Sequence, residues 1–252
     1  MGPDGPLALI TLLPQNICVR AWQKAGSNRR CHAVGYGAMA RTPLIRLENI
    51  LRLPPCGLTL SHLPFPPGLG TGMSTASLIA YAILSGFAGS AQELARATVV
   101  AEGASDPLMF SEPDRILWAS REGRVLSRCL PPFRAEILGG FFGPALPTRA
   151  VDQNYDDVSD LVAAWQSSSS LAEQAALSSE SARRCYQRRG ISGDPTRQLA
   201  ADLGALGYAS SHSGAARALI FAPGKVPERA EEALKEAGLY RVLHFRTGAR
   251  AA

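Results

Sequence analysis

The chain has 252 residues, of which 46% are hydrophobic and 19% are charged. This composition can bury a substantial core and excludes extensive disorder. The net charge of +5 comes mostly from scattered arginines, so we expect no nucleic-acid partner, which would favour a concentrated basic stripe. A mild positive field also suits an anionic nucleotide.

The cysteine and histidine spacings disfavour two further classes of protein. The five cysteines are odd in number and form no C-x-x-C pair, and the histidines show no metal-ligand spacing, so neither a disulfide framework nor a zinc site is supported. Residues 63–92 carry no charge, but prolines and glycines interrupt them, which favours a buried helix over a membrane span. With no signal peptide visible, we expect a cytoplasmic protein with reduced thiols and no membrane partner.

The N-terminal half of the chain predicts helices and strands on either side of a glycine-rich loop. Alternation and apolar runs indicate the strands, and longer periodic runs indicate the helices. In chain order the expected elements are a strand over 7–13, its partner strand over 17–22, a helix over 41–53, a strand over 58–63, the loop over 64–72, and helices over 74–87 and 91–101. The prolines and glycines at 64–72 disfavour a helix or a strand there, so this segment is expected to be a loop.

The C-terminal half predicts a hairpin, a strand and then a mixed pattern. The expected elements are a hairpin from 115–118 and 125–129, a strand over 135–142, helices over 157–165, 171–188 and 196–206, strands over 208–210 and 217–221, a helix over 227–237, and a strand over 241–245. We expect the serine run at 167–170 to break and cap the helices around it, and Gly207 to end the helix before it. The closing pattern indicates a small sheet with helices on one face, within an α+β architecture.

The strongest local signal is the glycine loop that runs into the helix starting at Ser74 and Thr75. Its glycines let the backbone approach a ligand closely, and free N–H groups at the helix start form an anion site. Hydroxyls there could also reach a phosphate-bound Mg²⁺. The loop lacks the Gly-Lys-Ser/Thr of a Walker A motif and the spacing of a dinucleotide fingerprint. Glycine content alone leaves a second interpretation open, a turn that merely packs a helix on a sheet.

This segment resembles the second motif of the GHMP kinase superfamily, in which the loop wraps the nucleotide phosphates. Ser74 matches the serine that helps to hold Mg²⁺, whereas Met73 stands where that family usually has a serine. The Ser-Thr-Ala form is similar to that of the L-threonine kinases of cobalamin biosynthesis and propanediol utilisation. The resemblance implies an ATP-binding set formed by Pro67, Gly68, Leu69, Gly70, Thr71, Gly72, Met73, Ser74 and Thr75.

A second signal is the pair of carboxylates Glu102 and Asp106 around a small-residue turn. Phosphoryl transfer needs Mg²⁺ and a positioned acceptor hydroxyl, and an Asp can take the proton of that hydroxyl. From the residues alone, a helix end followed by an ordinary turn is the favoured interpretation. The L-threonine kinases resemble this segment in carrying a Glu and then an Asp before a short run ending in Phe. That resemblance implies Glu102 as a Mg²⁺ ligand and Asp106 as the catalytic base.

A third signal is a small-residue turn between two predicted strands near the C-terminus. Such turns can form a nest of N–H groups, although a lone histidine is more often structural. The segment resembles the third GHMP motif in position, and its His-Ser-Gly form is shared with the L-threonine kinases. The resemblance implies that the nucleotide-binding set also includes Ser211, His212, Ser213 and Gly214.

Two charged features remain open. The acidic run at 152–157 could bind a substrate ammonium, and the arginine doublets at 183–184 and 188–189 could touch phosphate. Solvated helix surfaces are the favoured interpretation of both.

The resemblance follows motif order over most of the chain but lacks the first GHMP motif, a Gly-Glu-type segment on the opening strand. Residues 1–6 look like the turn that follows that segment. We therefore expect an exposed sheet edge, an incomplete substrate pocket, and low activity or stability for the chain as written.

The fold implied by the resemblance is that of the GHMP kinases. It would comprise an N-terminal ATP-binding α/β domain over 1–130 and a C-terminal ferredoxin-like α+β domain over 131–252. The implied activity is phosphotransfer from ATP, with Mg²⁺, to the hydroxyl of L-threonine, giving O-phospho-L-threonine for cobalamin biosynthesis. A GHMP kinase for another small alcohol and a non-catalytic GHMP-fold binding protein remain alternatives. The oligomeric state stays open.

Overall fold

The computed structural model describes residues 5–14, 17–24, 30–35, 40–54, 58–146, 152, 154–190, 192–212 and 214–247. Within these residues the chain forms three β-sheets with helices packed against them. This mixture confirms the predicted α+β class. Residues 1–4, which bear on the expectation of a missing first motif, and Ser213 of the predicted turn lie outside the described residues.

The strands of the N-terminal half form two three-stranded sheets. They are β1 (Ala8–Leu9), β2 (Arg20–Lys24), β3 (Arg30–Gly35), β4 (Leu58–Leu63), β5 (Ile116–Ala119) and β6 (Arg124–Arg128). Their orders are β1-β5-β6 and β2-β4-β3. The predicted strand at 58–63 and the predicted hairpin at 115–129 are confirmed as β4 and as β5 with β6. The sequence did not predict β3, which pairs in parallel with β4.

The predicted pairing of 7–13 with 17–22 is wrong. β1 covers only Ala8–Leu9 and pairs with β5, whereas β2 pairs with β4. The backbone N–H of Ser120 extends the first pairing by donating to the carbonyl of Leu7 at 3.1 Å. All four residues of β5 are buried, so covering this apolar strand outweighs the usual preference of neighbouring strands to pair with each other.

Three helices of the N-terminal half pack into one layer. They are α1 (Arg41–Leu51), α2 (Met73–Leu84) and α3 (Ala91–Glu102). Their shared core contains Leu44, Leu47, Leu78, Tyr81, Ala82, Leu94, Ala97 and Ala101. A capping box between Ser90 and Glu93 fixes the start of α3. α2 is the predicted apolar helix behind the glycine loop, and no helix of the described part of the chain has the length and hydrophobicity to cross a bilayer.

The C-terminal half builds the third sheet. Its strands are β7 (Glu136–Phe141), β8 (Gly207–Ser210), β9 (Ala216–Phe221) and β10 (Tyr240–Arg246). The order is β10-β7-β9-β8, and every neighbouring pair is antiparallel. With helices between β7 and β8 and between β9 and β10, this is the β-α-β-β-α-β arrangement of ferredoxin-like domains. The predicted ferredoxin-like part is therefore confirmed.

Four helices accompany this sheet: α4 (Ser159–Ser167), α5 (Leu171–Arg189), α6 (Thr196–Asp202) and α7 (Ala230–Glu236). The predicted serine cap is confirmed, because the side chain of Ser170 accepts from the backbone N–H of Glu173. The helix predicted over 196–206 is shorter, since it ends at Asp202 and the chain turns at Gly204, where φ is 66°. Gly207 is not a helix stop; it begins β8.

The two faces of the third sheet have different neighbours. α6 and α7 pack on one face around Leu138, Leu199, Leu219 and Leu234. α5 runs along β8, where its Ser179 hydroxyl accepts from the backbone N–H of Tyr208 at 2.9 Å. The opposite face contributes side chains to a cavity and so positions the candidate site.

Candidate active site

A cavity of about 520 Å³ brings together most of the residues that the sequence singled out. Its volume lies in the range of small-molecule sites. Its floor is formed by the glycine loop, the start of α2 and the acidic loop, which runs from Glu102 to Asp106. The sheet face at Gly139 and Ala218, together with one side of α5, forms the opposite wall.

The glycine loop has the conformation that an anion site requires. Gly68, Gly70 and Gly72 have φ between 71° and 86°, the left-handed region that only glycine adopts freely. Gly72 is the N-cap of α2 and no side chain caps that end. The first N–H groups of α2 are therefore available to a ligand in the cavity.

The predicted C-terminal turn lies directly on this loop. The backbone N–H of Ala216 donates to the carbonyl of Leu69 at 2.9 Å. A Cβ on Gly214 would lie 2.5 Å from the nitrogen of Gly70, and a Cβ on Gly70 would overlap the side chain of Ser211. Two segments that are far apart in the sequence thus meet with no space for a side chain between them.

Two hydroxyl groups at this junction lack partners. The oxygens of Thr71 and Ser211 are buried and have no hydrogen-bond partner among the described residues, and both residues line the cavity. Buried hydroxyls are rarely left unpaired, so a polar ligand would satisfy them. Pro67, Leu69 and Gly214 of the predicted set do not line the cavity. Leu69 packs instead in the core beside Phe141.

The two predicted carboxylates converge on the hydroxyls at the start of α2. Ser74 donates to one oxygen of Glu102. The hydroxyl of Thr75 lies 3.2 Å from the other oxygen of Glu102 and 3.3 Å from Oδ2 of Asp106. The sequence analysis assigned Thr75 to the phosphate loop but did not predict that its hydroxyl lies within hydrogen-bond distance of both carboxylates.

Hydrogen bonds to β5 and to the residue after it fix the backbone of the acidic loop. The indole Nε1 of Trp118 donates to the carbonyl of Ser105 at 2.7 Å, and the N–H of Ser105 donates to Ser120 at 2.9 Å. A Cβ on Gly72 would lie 3.2 Å from Oδ2 of Asp106. Asp106 is therefore held against the last glycine of the loop.

Burial disfavours the charged form of both carboxylates. It raises the pKa of Glu102 to about 7, against the hydrogen bonds from Ser74 and Thr75, which lower it, and the charge of Asp106 raises it further. Burial likewise raises the pKa of Asp106, and the Thr75 hydroxyl opposes that shift. Two acids that share buried space without a cation favour the arrival of one.

The floor of the cavity fits a magnesium ion bound together with phosphate. Within the described ranges no three or more His, Cys, Asp or Glu side chains are grouped to hold a metal by themselves. Magnesium is commonly held by one or two carboxylates plus substrate phosphates. Glu102 and Ser74 offer oxygen donors at the start of α2, beside the loop that suits phosphate.

His212 lies at the opposite wall of the cavity. Its Nε2 is 3.2 Å from the Ser181 hydroxyl on α5. Burial lowers the pKa of His212, and the positive charge of Arg189 lowers it further. A neutral imidazole beside a serine hydroxyl can orient a polar ligand without adding charge.

The acidic run at 152–157 and the doublet at 188–189 bind each other at the cavity rim. Arg189 pairs with Asp152 at 2.7 Å and Arg188 with Asp156 at 3.2 Å. The guanidinium of Arg189 also lies 4.4 Å from the ring centroid of Tyr155. The acidic run and this doublet therefore neutralise part of each other's charge, while Arg188 and Asp156 stay partly exposed.

A buried ion pair that the sequence did not reveal lies behind the C-terminal turn. Nε of Arg217 is 2.5 Å from Oδ2 of Asp194, and both side chains are about 5% exposed or less. Arg217 lies inside a predicted strand and Asp194 in a predicted loop, and no local sequence pattern indicates that the two side chains form an ion pair.

Comparison with solved structures identifies the fold. A phosphotransferase described as related to CoA biosynthesis has a TM-score of 0.63 at 15% identity, covering 97% of this chain and 88% of that one. A putative homoserine kinase from Listeria monocytogenes has a TM-score of 0.58 at 18% identity, covering 92% and 87%. Mevalonate kinase of L. major, in complex with R-mevalonate, has a TM-score of 0.57 at 13% identity, covering 84% and 78%.

The chain therefore has the fold of the GHMP kinases. No family model matches the sequence, and no curated protein matches it. The fold and the predicted fold class agree.

Proposed function

We propose that the protein is an ATP-dependent kinase for a small alcohol, with L-threonine as its acceptor and O-phospho-L-threonine for cobalamin synthesis as its product. The observation that carries this proposal is the convergence of Ser74, Thr75, Glu102 and Asp106 at the uncapped start of α2, under a glycine loop. The known neighbours in fold include proteins described as homoserine and mevalonate kinases, which supports a hydroxyl acceptor.

The glycine loop would hold the phosphates of ATP. Its N–H groups and the positive end of the α2 dipole favour negative charge. The unpaired hydroxyls of Thr71 and Ser211 would donate to phosphate oxygens. In this proposal residues 1–130 provide the nucleotide-binding part and 131–252 close the cavity over it.

Ser74 and Glu102 would hold Mg²⁺ next to these phosphates. A bound Mg²⁺ neutralises charge that develops on the transferred phosphoryl group. A cation at this point also stabilises the charged form of Glu102, whose burial otherwise raises its pKa.

Asp106 would take the proton of the acceptor hydroxyl during in-line transfer. The acceptor oxygen forms a bond to the γ-phosphorus as the bond to the ADP oxygen breaks, and the proton passes to the Asp106 carboxylate. The raised pKa of Asp106 makes it a stronger proton acceptor than an exposed aspartate. Thr75 orients the carboxylate through its hydroxyl.

L-Threonine as the acceptor rests on the Ser74-Thr75-Ala76 and His-Ser-Gly forms of the two motifs. The wall formed by His212 and Ser181 supplies neutral polar groups for an amino-acid substrate. The first experiment incubates the protein with MgATP and L-threonine and measures phosphothreonine and ADP. Phosphothreonine that disappears in Asp106→Asn supports the proposal.

A panel of other alcohols, including homoserine and mevalonate, separates the remaining alternatives. Turnover of another alcohol but not L-threonine would keep the kinase and reject the acceptor. Tight MgATP binding without turnover of any alcohol would reject the kinase in favour of a binding protein.

A further inference from the structure

Arg217, which also lines the cavity, connects three segments beside the C-terminal turn. Besides its ion pair with Asp194, its Nη1 donates to the carbonyl of Gly214 at 3.1 Å and to that of Ala216 at 2.9 Å. Its guanidinium also lies 5.5 Å from the ring centroid of Tyr186 on α5. One buried cation therefore fixes the backbone of the turn to α5 and to the loop before α6.

Asp194 is itself held in place. Its Oδ1 accepts from the backbone N–H of Thr196 at 3.0 Å and from the Thr196 hydroxyl at 2.6 Å. Oδ2 remains for Arg217. The carboxylate thus caps the start of α6 and sets the position of the guanidinium.

The turn that Arg217 holds is the one that packs on the glycine loop. Gly214 lies against Gly70, and the N–H of Ala216 bonds to Leu69. Close-packed contacts of this kind transmit displacement, because no space exists to absorb it. A shift in the carbonyls of Gly214 or Ala216 would move the loop that faces the phosphates.

Stability alone does not require an ion pair at this position. Buried ion pairs lose much of their Coulomb energy to desolvation, and apolar replacements of similar volume are often equally stable. An apolar pair, however, cannot hydrogen-bond to two backbone carbonyls. The two hydrogen bonds to the turn are therefore what the charged pair supplies beyond stability.

We propose that Arg217 is a positioning residue that, fixed by Asp194, holds the turn at Gly214 and Ala216 against the glycine loop and thereby sets the affinity for nucleotide phosphates. The choice of ligand rests on the proposed kinase function. The contact between turn and loop does not, which allows the two ideas to be tested separately.

The test uses the double variant Arg217→Met with Asp194→Asn. Both charges disappear together, so no lone charge is left buried, and the asparagine oxygen still accepts from Thr196. The matched control is Glu136→Gln with Arg246→Met. That pair joins β7 to β10 at 2.7 Å, has an equally buried carboxylate, and does not line the cavity.

The first readout is hydrogen exchange of the Ala216 amide in the ligand-free protein. We expect exchange at Ala216 to accelerate at least about tenfold in the Arg217 variant, equivalent to about 1.4 kcal/mol of lost protection. The control should leave exchange at Ala216 unchanged. The second readout is the Kd for MgATP, which we expect to rise about tenfold in the Arg217 variant only.

Unchanged exchange at Ala216 in a folded Arg217 variant would overturn the proposal, and so would faster exchange with an unchanged Kd. If the wild-type protein binds no MgATP, the proposed kinase function fails, and exchange alone decides whether Arg217 holds the turn. Should the double variant not fold, Arg217→Lys decides, because it keeps the charge but cannot reproduce the planar fork. Wild-type values for Arg217→Lys would then reject the proposal.

Discussion

The carboxylates at the floor and at the rim of the cavity differ in burial and in pairing. At the floor, Glu102 and Asp106 share the hydroxyl of Thr75, and no cation among the described residues forms an ion pair with either. At the rim, Asp152 and Asp156 each pair with an arginine. Burial raises the pKa of both floor carboxylates, whereas the hydrogen bond from Arg189 lowers the pKa of Asp152.

This difference distinguishes carboxylates that are available to a ligand from carboxylates whose charge is already paired within the fold. Paired charges at the rim tie a loop to α5 and gain little from a further ligand. Buried carboxylates without an ion-pair partner among the described residues are costly in the free protein, and perturbed groups of this kind cluster at functional sites.

The largest expected effect comes from Asp106→Asn, which removes the proposed proton acceptor at the floor. We expect kcat for phosphothreonine formation to fall about 10²–10⁴-fold, the usual contribution of a general base. The matched control at the rim is Asp156→Asn, which should leave kcat within about threefold, because the charge of this side chain is paired with Arg188. Equal losses in both variants would remove the distinction between floor and rim.

The second effect concerns the loop above the floor. Gly70→Ala should weaken MgATP binding at least about tenfold, because the new Cβ overlaps Ser211. Gly86→Ala is the control, since Gly86 also has a positive φ of 88° but has no atom within 4 Å of a Cβ. Both variants lose stability through backbone strain, so a Kd increase confined to Gly70→Ala isolates the contact.

The third effect is on stability without magnesium. Glu102→Gln should raise the free energy of unfolding by about 1 kcal/mol, because an unpaired carboxylate no longer has to be buried. Asp152→Asn should lower it by up to about 1 kcal/mol, because it breaks an ion pair. Chemical denaturation of both variants in EDTA measures the two changes, and the same sign for both would contradict the comparison.

The smallest effect is a pH dependence at the rim. Because the folded pKa of Asp152 is lowered, its ion pair contributes stability above the unfolded pKa of about 3.9. That contribution is lost as the pH falls through the lower folded pKa. The stability difference between wild type and Asp152→Asn should be constant above about pH 5 and vanish in stronger acid. A stability difference that persists at pH 2, about two units below the unfolded pKa, would show that it arises from packing and not from the ion pair.

Local patterns predicted much of the fold. The helix start at Ser170 follows from capping chemistry in the sequence. The C-terminal strand and helix pattern indicated a small sheet with helices on one face, and the family resemblance implied its ferredoxin-like form. The partners of β1 and β2 were not predictable, because pairing depends on which distant strand must be covered. β3 lies next to β4 through a parallel pairing that leaves no turn signal between them.

The same distinction between local patterns and long-range contacts decides which residues of the candidate site were predictable. Glu102 is the last residue of α3 and Asp106 lies in the loop that follows, so a motif could indicate them. The role of Thr75, the pairing of Arg189 with Asp152 and that of Arg217 with Asp194 depend on contacts between distant elements. No spacing in the sequence indicates such contacts.

The contact between the glycine loop and the C-terminal turn also affects the order of events during synthesis. Leu69 and Gly70 leave the ribosome long before Gly214 and Ala216, their partners. N-terminal parts of a chain begin to fold while synthesis continues. A nascent chain that has not yet reached this turn would present a glycine loop with no opposing wall. With nucleotide bound at the loop as proposed, the ligand would assist only the final stage of folding, and a released fragment lacking the last strands would gain no protection from it.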